Sequence, residues 1–255
     1  MPNAYGQVLQ VLGLCALIGI AVSAEAQEPP ALSAGDPVSP LEKWRNQAAE
    51  TRRLLEAGSY QQALDLVEPL VREMKNSTWI RPGSAPSLGE GVFLRAVAHA
   101  GLGHREDAAW DWFTAKSLDP AITKSSLASF GKAGQLLEEI RTPSAEAPSI
   151  KKFETYKSGR IERPRKIAGD PPSYPLSRKI ACEDGTVAVE AILDEQGVPH
   201  DPAILRSPHP AFSLAALEAV RGWRFTPARF NGEIVKVYYT LTVNFKVENC
   251  PRPTS

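Results

Sequence analysis

Four histidines, three cysteines and the adjacent pair Asp194-Glu195 are the residues of this chain best suited to chemistry. Histidines beside carboxylates or thiolates would bind a transition metal or move protons, and a thiolate could act as a nucleophile. The spacing supports none of these. His99, His104, His200 and His209 stand in no metal-ligand spacing with cysteine or carboxylate. His99 falls in a helical segment and reads as a packed residue, and His104 sits in a turn. Asp194-Glu195 belongs to the turn "DEQG", where carboxylates are expected to be solvated. No glycine-rich phosphate loop opens a helix, and no nucleophile elbow is present. The chain therefore reads as a non-enzyme, with no catalytic residue, no metal site and no cofactor.

Interaction chemistry is the other possibility, and it draws attention to "AVRGWRFTPARFNGEIV" (Ala219 to Val235) and the following "KVYYTLTVNFKV". Trp223, Phe225 and Phe230 around Thr226-Pro227 first suggest a pocket. The segment "PAFSLAALEAVRGW" answers that suggestion, because it has helical period, with Phe212, Ala216, Ala219, Val220 and Trp223 on one side. Pro227 forbids continuation of that helix, so the aromatics read as core where the helix is pinned. Asn231-Gly232 is a turn. After it, Val235, Val237, Tyr239, Leu241, Val243, Phe245 and Val247 alternate with Lys236, Tyr238, Thr240, Thr242, Asn244 and Lys246, the period of a long half-buried strand. Upstream, "TVAVEAIL" puts Val187, Val189, Ala191 and Leu193 on one face of another strand, and "PAILR" gives a short second one.

Composition limits the rest. With zero formal net charge, no whole-molecule field argues for nucleic acid or an anionic membrane as a partner, and no nucleic-acid partner is expected. The apolar run Val11 to Val22, followed by Ala24-Glu25-Ala26, has the shape of an export signal cleaved before Gln27. As a helix it spans roughly 18 Å, short against a hydrocarbon core of about 30 Å. The first ten residues hold no Lys or Arg, so an uncleaved anchor or an upstream start stands as the alternative. Leu14 argues against lipidation of Cys15. Cleavage leaves Cys182 and Cys250 as an even pair in an oxidising compartment, either bonded or as two free thiols. Residues 27–40, rich in Pro, Ser, Gly and Ala, read as a flexible leader.

Residues 41–141 are helical in period. Two units, one around Gly58, Ala63 and Val67, the other around Ala96, Gly103, Ala108, Trp112, Ala115 and Pro120, resemble tetratricopeptide repeats. An unrelated small helical bundle is the alternative. Ser125 to Arg141 is expected to cap the open apolar face. Residues 142–172, basic and Pro-containing, read as a solvated linker, with a membrane-surface role as the alternative.

Residues 173–250 carry the most specific pattern, with residues 251–255 left as a tail. "PSYPLSR", "DGTVAVEAILDEQGVPHDPAILRSP", "LAALEAVRGWRFTPARFNGEIV" and a closing strand ending "VNF" occur in an order that resembles the C-terminal domain of the TonB family of energy transducers. The resemblance implies a multidomain chain: an all-α tetratricopeptide-like region plus a small α+β domain, an antiparallel sheet with one helix across a face. In that fold the first strand pairs with the last, which would bring Cys182 and Cys250 together as a disulfide worth about 4 kcal/mol. It further implies binding of a protein partner by strand addition to the closing strand, through Lys236, Tyr238, Thr240, Thr242, Asn244 and Lys246, with Tyr174 and Pro175 flanking. The implied partner is a TonB-dependent outer-membrane transporter or another envelope protein, with self-association through the last strand as a further possibility. The implied location is the periplasm of a Gram-negative bacterium. A membrane-anchored transducer of uptake is the competing reading, but the short apolar segment holds no His or acidic residue, and helical repeats stand where that family has a long spacer.

Overall fold

The computed structural model describes residues 39–142, 151–152, 161–248 and 250. The expected export segment, nearly all of the expected leader, residues 143–150 and 153–160 of the expected linker and the expected tail lie outside the described residues.

Five α-helices form the first region. Ser39 caps α1 (Pro40–Glu56), its Oγ accepting the Glu42 amide at 3.2 Å, and Pro40 suits the first helical position. The helix stops at Ala57 and Gly58, whose φ is +77°, before α2 (Tyr60–Asn76). The same grammar recurs: α3 (Ala85–Leu102) ends at left-handed Gly103, α4 (Arg105–Leu118) follows within two residues, and Pro120 comes soon after. Connections this short make each pair a helical hairpin. The hairpins cross closely because small residues meet there: a Cβ on Gly101 would lie 2.2 Å from the Tyr60 ring. Leu55, Val67, Leu94 and Trp112 fill the core. As expected, the segment after Pro120 closes it. Leu127 and Phe130, with Ala133 and Leu137 of α5 (Gly131–Arg141), are buried there, and Phe93 meets Trp112 and Phe130 edge-on at 6.2 and 6.0 Å.

The second region is built on β4 (Gly185–Leu193), β5 (Pro199–Arg206) and β9 (Val237–Phe245). β4 runs antiparallel to both neighbours, and its register with β9 is unbroken from Gly185↔Phe245 to Leu193↔Val237. The two-residue strand β1 (Lys151–Lys152) lies parallel to the start of β9, completing the order β1-β9-β4-β5. Helix α7 (Pro210–Arg221) packs across one face, with Phe212, Ala216 and Val220 buried against Val187, Val189, Leu241 and Val243. Each large apolar side chain removed from water here contributes about 1.5–3 kcal/mol.

The structure departs from the sequence expectations at three places. The closing strand does not run unbroken from Val235 to Val247; it splits at Lys236 into β8 (Glu233–Val235) and β9, because β8 turns back at Asn231-Gly232 to pair with β7 (Ala228–Phe230). Both turn residues have positive φ, 52° and 88°, the conformation that favours Asn-Gly. Part of the expected linker is strand: β2 (Ile161–Glu162) pairs with β7, and β3 (Lys166–Ala168) with β6 (Arg224–Phe225). Trp223 holds this segment, donating Nε1–H to the Asp170 carbonyl at 2.8 Å while Lys166 Nζ stands 3.8 Å above its ring. Finally, α7 is not apolar on one side only; every residue from Pro210 to Leu217 is buried.

The last departure has a clear cause. Leu214 belongs to the core of the helical region, and Trp110 of α4 belongs to the core of the sheet region. Lys75 of α2 reaches Glu218 of α7 at 2.5 Å, Ser117 Oγ accepts the Ile204 amide at 2.6 Å, and Asn76 Oδ1 accepts the Leu176 amide at 3.0 Å. The outer face of α7 is covered by helices, so the two regions pack as one unit.

Candidate protein-binding edge

β9 sorts its side chains as the period of two requires. Val237, Leu241, Val243 and Phe245 are buried and Tyr239 is half-buried, while Thr240, Thr242 and Asn244 are exposed. Lys236 and Tyr238 are partly exposed, and Lys246 is exposed. Four of the expected binding residues, Tyr238, Thr240, Thr242 and Asn244, thus lie in β9 on the face that turns away from α7, and Lys236 and Lys246 flank the strand. Thr186 Oγ1 donates to Asn244 Oδ1 at 3.0 Å across the ladder, and Lys236 Nζ stands 3.6 Å from Glu195.

The backbone matters as much as these side chains. β4 satisfies one side of β9 along its length, whereas β1 covers the other side only at Val237 and Tyr238. From Thr240 to Phe245, β9 has one strand neighbour among the described residues. An edge of that kind offers a row of amides and carbonyls to an extended chain.

Tyr174 and Pro175 occupy a different place. The Tyr174 hydroxyl donates to the Glu183 carbonyl, and its ring meets Phe212 and Phe245 edge-on at 5.7 and 5.6 Å. Burial, with Asp184 and Glu183 nearby, raises the phenol's pKa and keeps it a donor. Pro175 is buried as the N-cap of the short helix α6 (Leu176–Ile180). Tyr174 thus braces the inner side of the C-terminal end of β9 through Phe245.

That end is tied twice more. Cys182 and Cys250 form a disulfide with Cα atoms 5.8 Å apart, and the Val247 amide donates to Asp184 Oδ1 at 2.9 Å. At the opposite end, Asp194 organises the β4–β5 turn instead of lying free in solvent. Its Oδ1 accepts the amides of Gln196 and Val198 at 2.9 and 2.8 Å, and Oδ2 meets His200 at 2.8 Å. Partial burial works to raise this carboxyl's pKa, but the Val198, His200 and Gln196 hydrogen bonds outweigh it and hold the pKa low. Gly197 completes the turn at φ +75°, where a Cβ would lie 1.9 Å from the Phe225 carbonyl oxygen.

A second polar constellation lies where α3, α4 and α7 meet. Arg95 pairs with fully buried Asp111 through two hydrogen bonds of 2.7 and 2.8 Å, and Arg221 meets Asp107. Burial opposes the charge on Arg95, but Asp111 more than compensates and the guanidinium stays charged. Sequence reading missed this cluster. Its local signal is the four-residue spacing of Arg95 with His99 and of Asp107 with Asp111, which places each pair on one helix face.

Part of the chain is similar to known proteins. Residues 170–247 match the family described as Gram-negative bacterial TonB protein C-terminal. Among solved structures, the solution NMR structure of the Pseudomonas aeruginosa TonB C-terminal domain is similar at 30% identity. The match covers 34% of this chain and 90% of that one, with a TM-score of 0.30. No curated protein matches the chain.

Proposed function

We propose, from the place of residues 170–247 in the TonB C-terminal family, that this chain is a protein-binding module of the Gram-negative envelope. It captures an extended segment of its partner as a new strand on β9. The observation that carries this reading is the edge from Thr240 to Phe245, with a single strand neighbour among the described residues. Backbone groups supply the affinity, and the face bearing Tyr238, Thr240, Thr242 and Asn244, flanked by Lys236 and Lys246, supplies selectivity. Tyr174 acts by holding the strand in place, with Pro175 beside it. The partner class is a TonB-dependent outer-membrane transporter or another envelope protein. The helical hairpins, read as tetratricopeptide-like, serve as the platform that fixes the sheet's orientation. The setting is the periplasm, reached by the export segment. Among the described residues no helix is long and apolar enough to cross a membrane.

The test uses the full chain. Proline removes ladder donors, so Thr240→Pro with Thr242→Pro should abolish capture of envelope partners that the unaltered chain retains. Amide exchange provides the check independent of substitution: a bound partner should slow exchange along Thr240–Phe245. Unchanged capture by the proline variant, together with unchanged exchange, would refute strand addition.

A further inference from the structure

Folding assembles three ligand-bearing side chains that the linear spacing leaves apart. His99 lies in the last turn of α3, His104 is the N-cap of α4, and Asp107 lies in the first turn of α4. One ligand atom from each falls within 4.8 Å of the others. The two imidazole rings stand with centroids 5.7 Å apart and planes inclined at 41°. His99 is mostly enclosed, its side chain 15% exposed, and its Nδ1 is buried with no hydrogen-bond partner among the described residues. A buried polar atom left in this state costs about 1–3 kcal/mol, which a ligand would recover. Its other ring nitrogen, Nε2, stands 3.8 Å from Asp111 Oδ2, outside hydrogen-bond distance of that carboxylate.

The cavity beside the cluster carries a small excess of negative charge. His99 and Asp107 line a cavity of about 240 Å³ whose wall also holds Glu68, Asp111 and Glu218 against Arg95 and Arg221. Carboxylates outnumber guanidiniums there, and Lys75 offsets only Glu218. Arg221 meets Asp107 through Oδ1. A carboxylate can hold a guanidinium through one oxygen and a metal through the other.

We propose that His99, His104 and Asp107 form a binding site for a divalent transition-metal ion of the zinc class. Two imidazole nitrogens and one carboxylate oxygen supply three corners of a tetrahedron, and water takes the fourth. Imidazole donors select such ions over magnesium or calcium, which demand oxygen. Bringing the ligand atoms to the roughly 3.3 Å mutual spacing of a zinc tetrahedron requires a modest contraction, and exposed His104 can supply it by rotation. Because Asp107 also holds Arg221 of α7, the ion would share a carboxylate with the junction between the two regions.

The experiment uses tag-free full chain, stripped with a chelator. Zinc chloride is titrated by calorimetry, and cobalt(II) reports coordination through its visible absorption. One ion should bind per chain, the cobalt spectrum should be that of a tetrahedral site, and added zinc should raise the melting temperature. His104→Gln and Asp107→Asn should each weaken binding tenfold or more with helical content unchanged, while His200→Ala, at the distant turn, leaves it unaltered. Absence of binding at micromolar zinc would overturn the proposal. So would equal affinity in the His104→Gln and Asp107→Asn variants, or loss of binding in His200→Ala.

Discussion

At the N-terminus of α7, His209 Nδ1 accepts the Ala211 amide at 3.1 Å while Nε2 bonds the Ile80 carbonyl at 3.0 Å. An amide can only donate and a carbonyl can only accept, so the ring is neutral with its proton on Nε2. One side chain therefore caps a helix of the sheet region and fastens it to the helical region. Burial lowers its pKa and the Arg178 charge adds to this, outweighing the Ile80 bond and Glu183, which act to raise it. His99 is shifted in the same direction, by burial first, against Asp111 and with Arg95 and Arg221. Since both folded pKa values lie below the ordinary histidine value of 6.5, the unfolded chain binds these protons more readily. Their contribution is thus complete above that pH and is lost as pH falls through the folded values. Urea midpoints should drop between pH 7.5 and pH 5, and His209→Asn, which can still cap, should flatten the drop. An equally steep profile in the variant would show that His209 is not a source. Nothing in the sequence marks this residue, because its partner Ile80 is 129 positions away.

Among the elements, β4 and β9 are the pair on which everything in the sheet depends, and both were legible. Alternation alone places Val187, Val189, Leu241 and Val243 inside, and the structure buries all four. The pairing of Cys182 with Cys250 followed only from the implied topology, since neither residue announces a partner in its own neighbourhood. The bridge spans a separation of 68 residues. Replacing both cysteines by serine should cost about 4 kcal/mol on the chain-entropy argument, read as a lower urea midpoint with a slope no shallower than the parent's, because the freed unfolded chain is less compact. A midpoint identical to that of the oxidised parent would show that the bridge constrains little. The split at Lys236 was not legible. The alternation runs through it without a fault, and only the pairing of β8 with β7 decides that the strand must break there.

For the whole molecule, the packing of the two regions against each other was beyond the sequence reading. The apolar residues on the outer face of α7, Leu214 among them, were present as a signal, since a helix apolar on most sides expects cover on most sides. What covers it could not be read, because Lys75 and Glu218 lie 143 residues apart. With Leu214 in one core and Trp110 in the other, neither region can lose its fold without opening its neighbour. The full chain should unfold in one transition, with amides of α3 and β4 exchanging at a common free energy, and Leu214→Ala should lower both by about 2–4 kcal/mol. Two resolved steps would contradict this interlocking. The double tie at the end of β9 has a mechanical meaning. A partner strand laid along β9 and pulled lengthwise loads the β4–β9 ladder in shear, with all its hydrogen bonds sharing the tension. Tearing would otherwise begin at a free end, one bond at a time, and near Phe245 the Cys182–Cys250 bridge leaves no free end to tear.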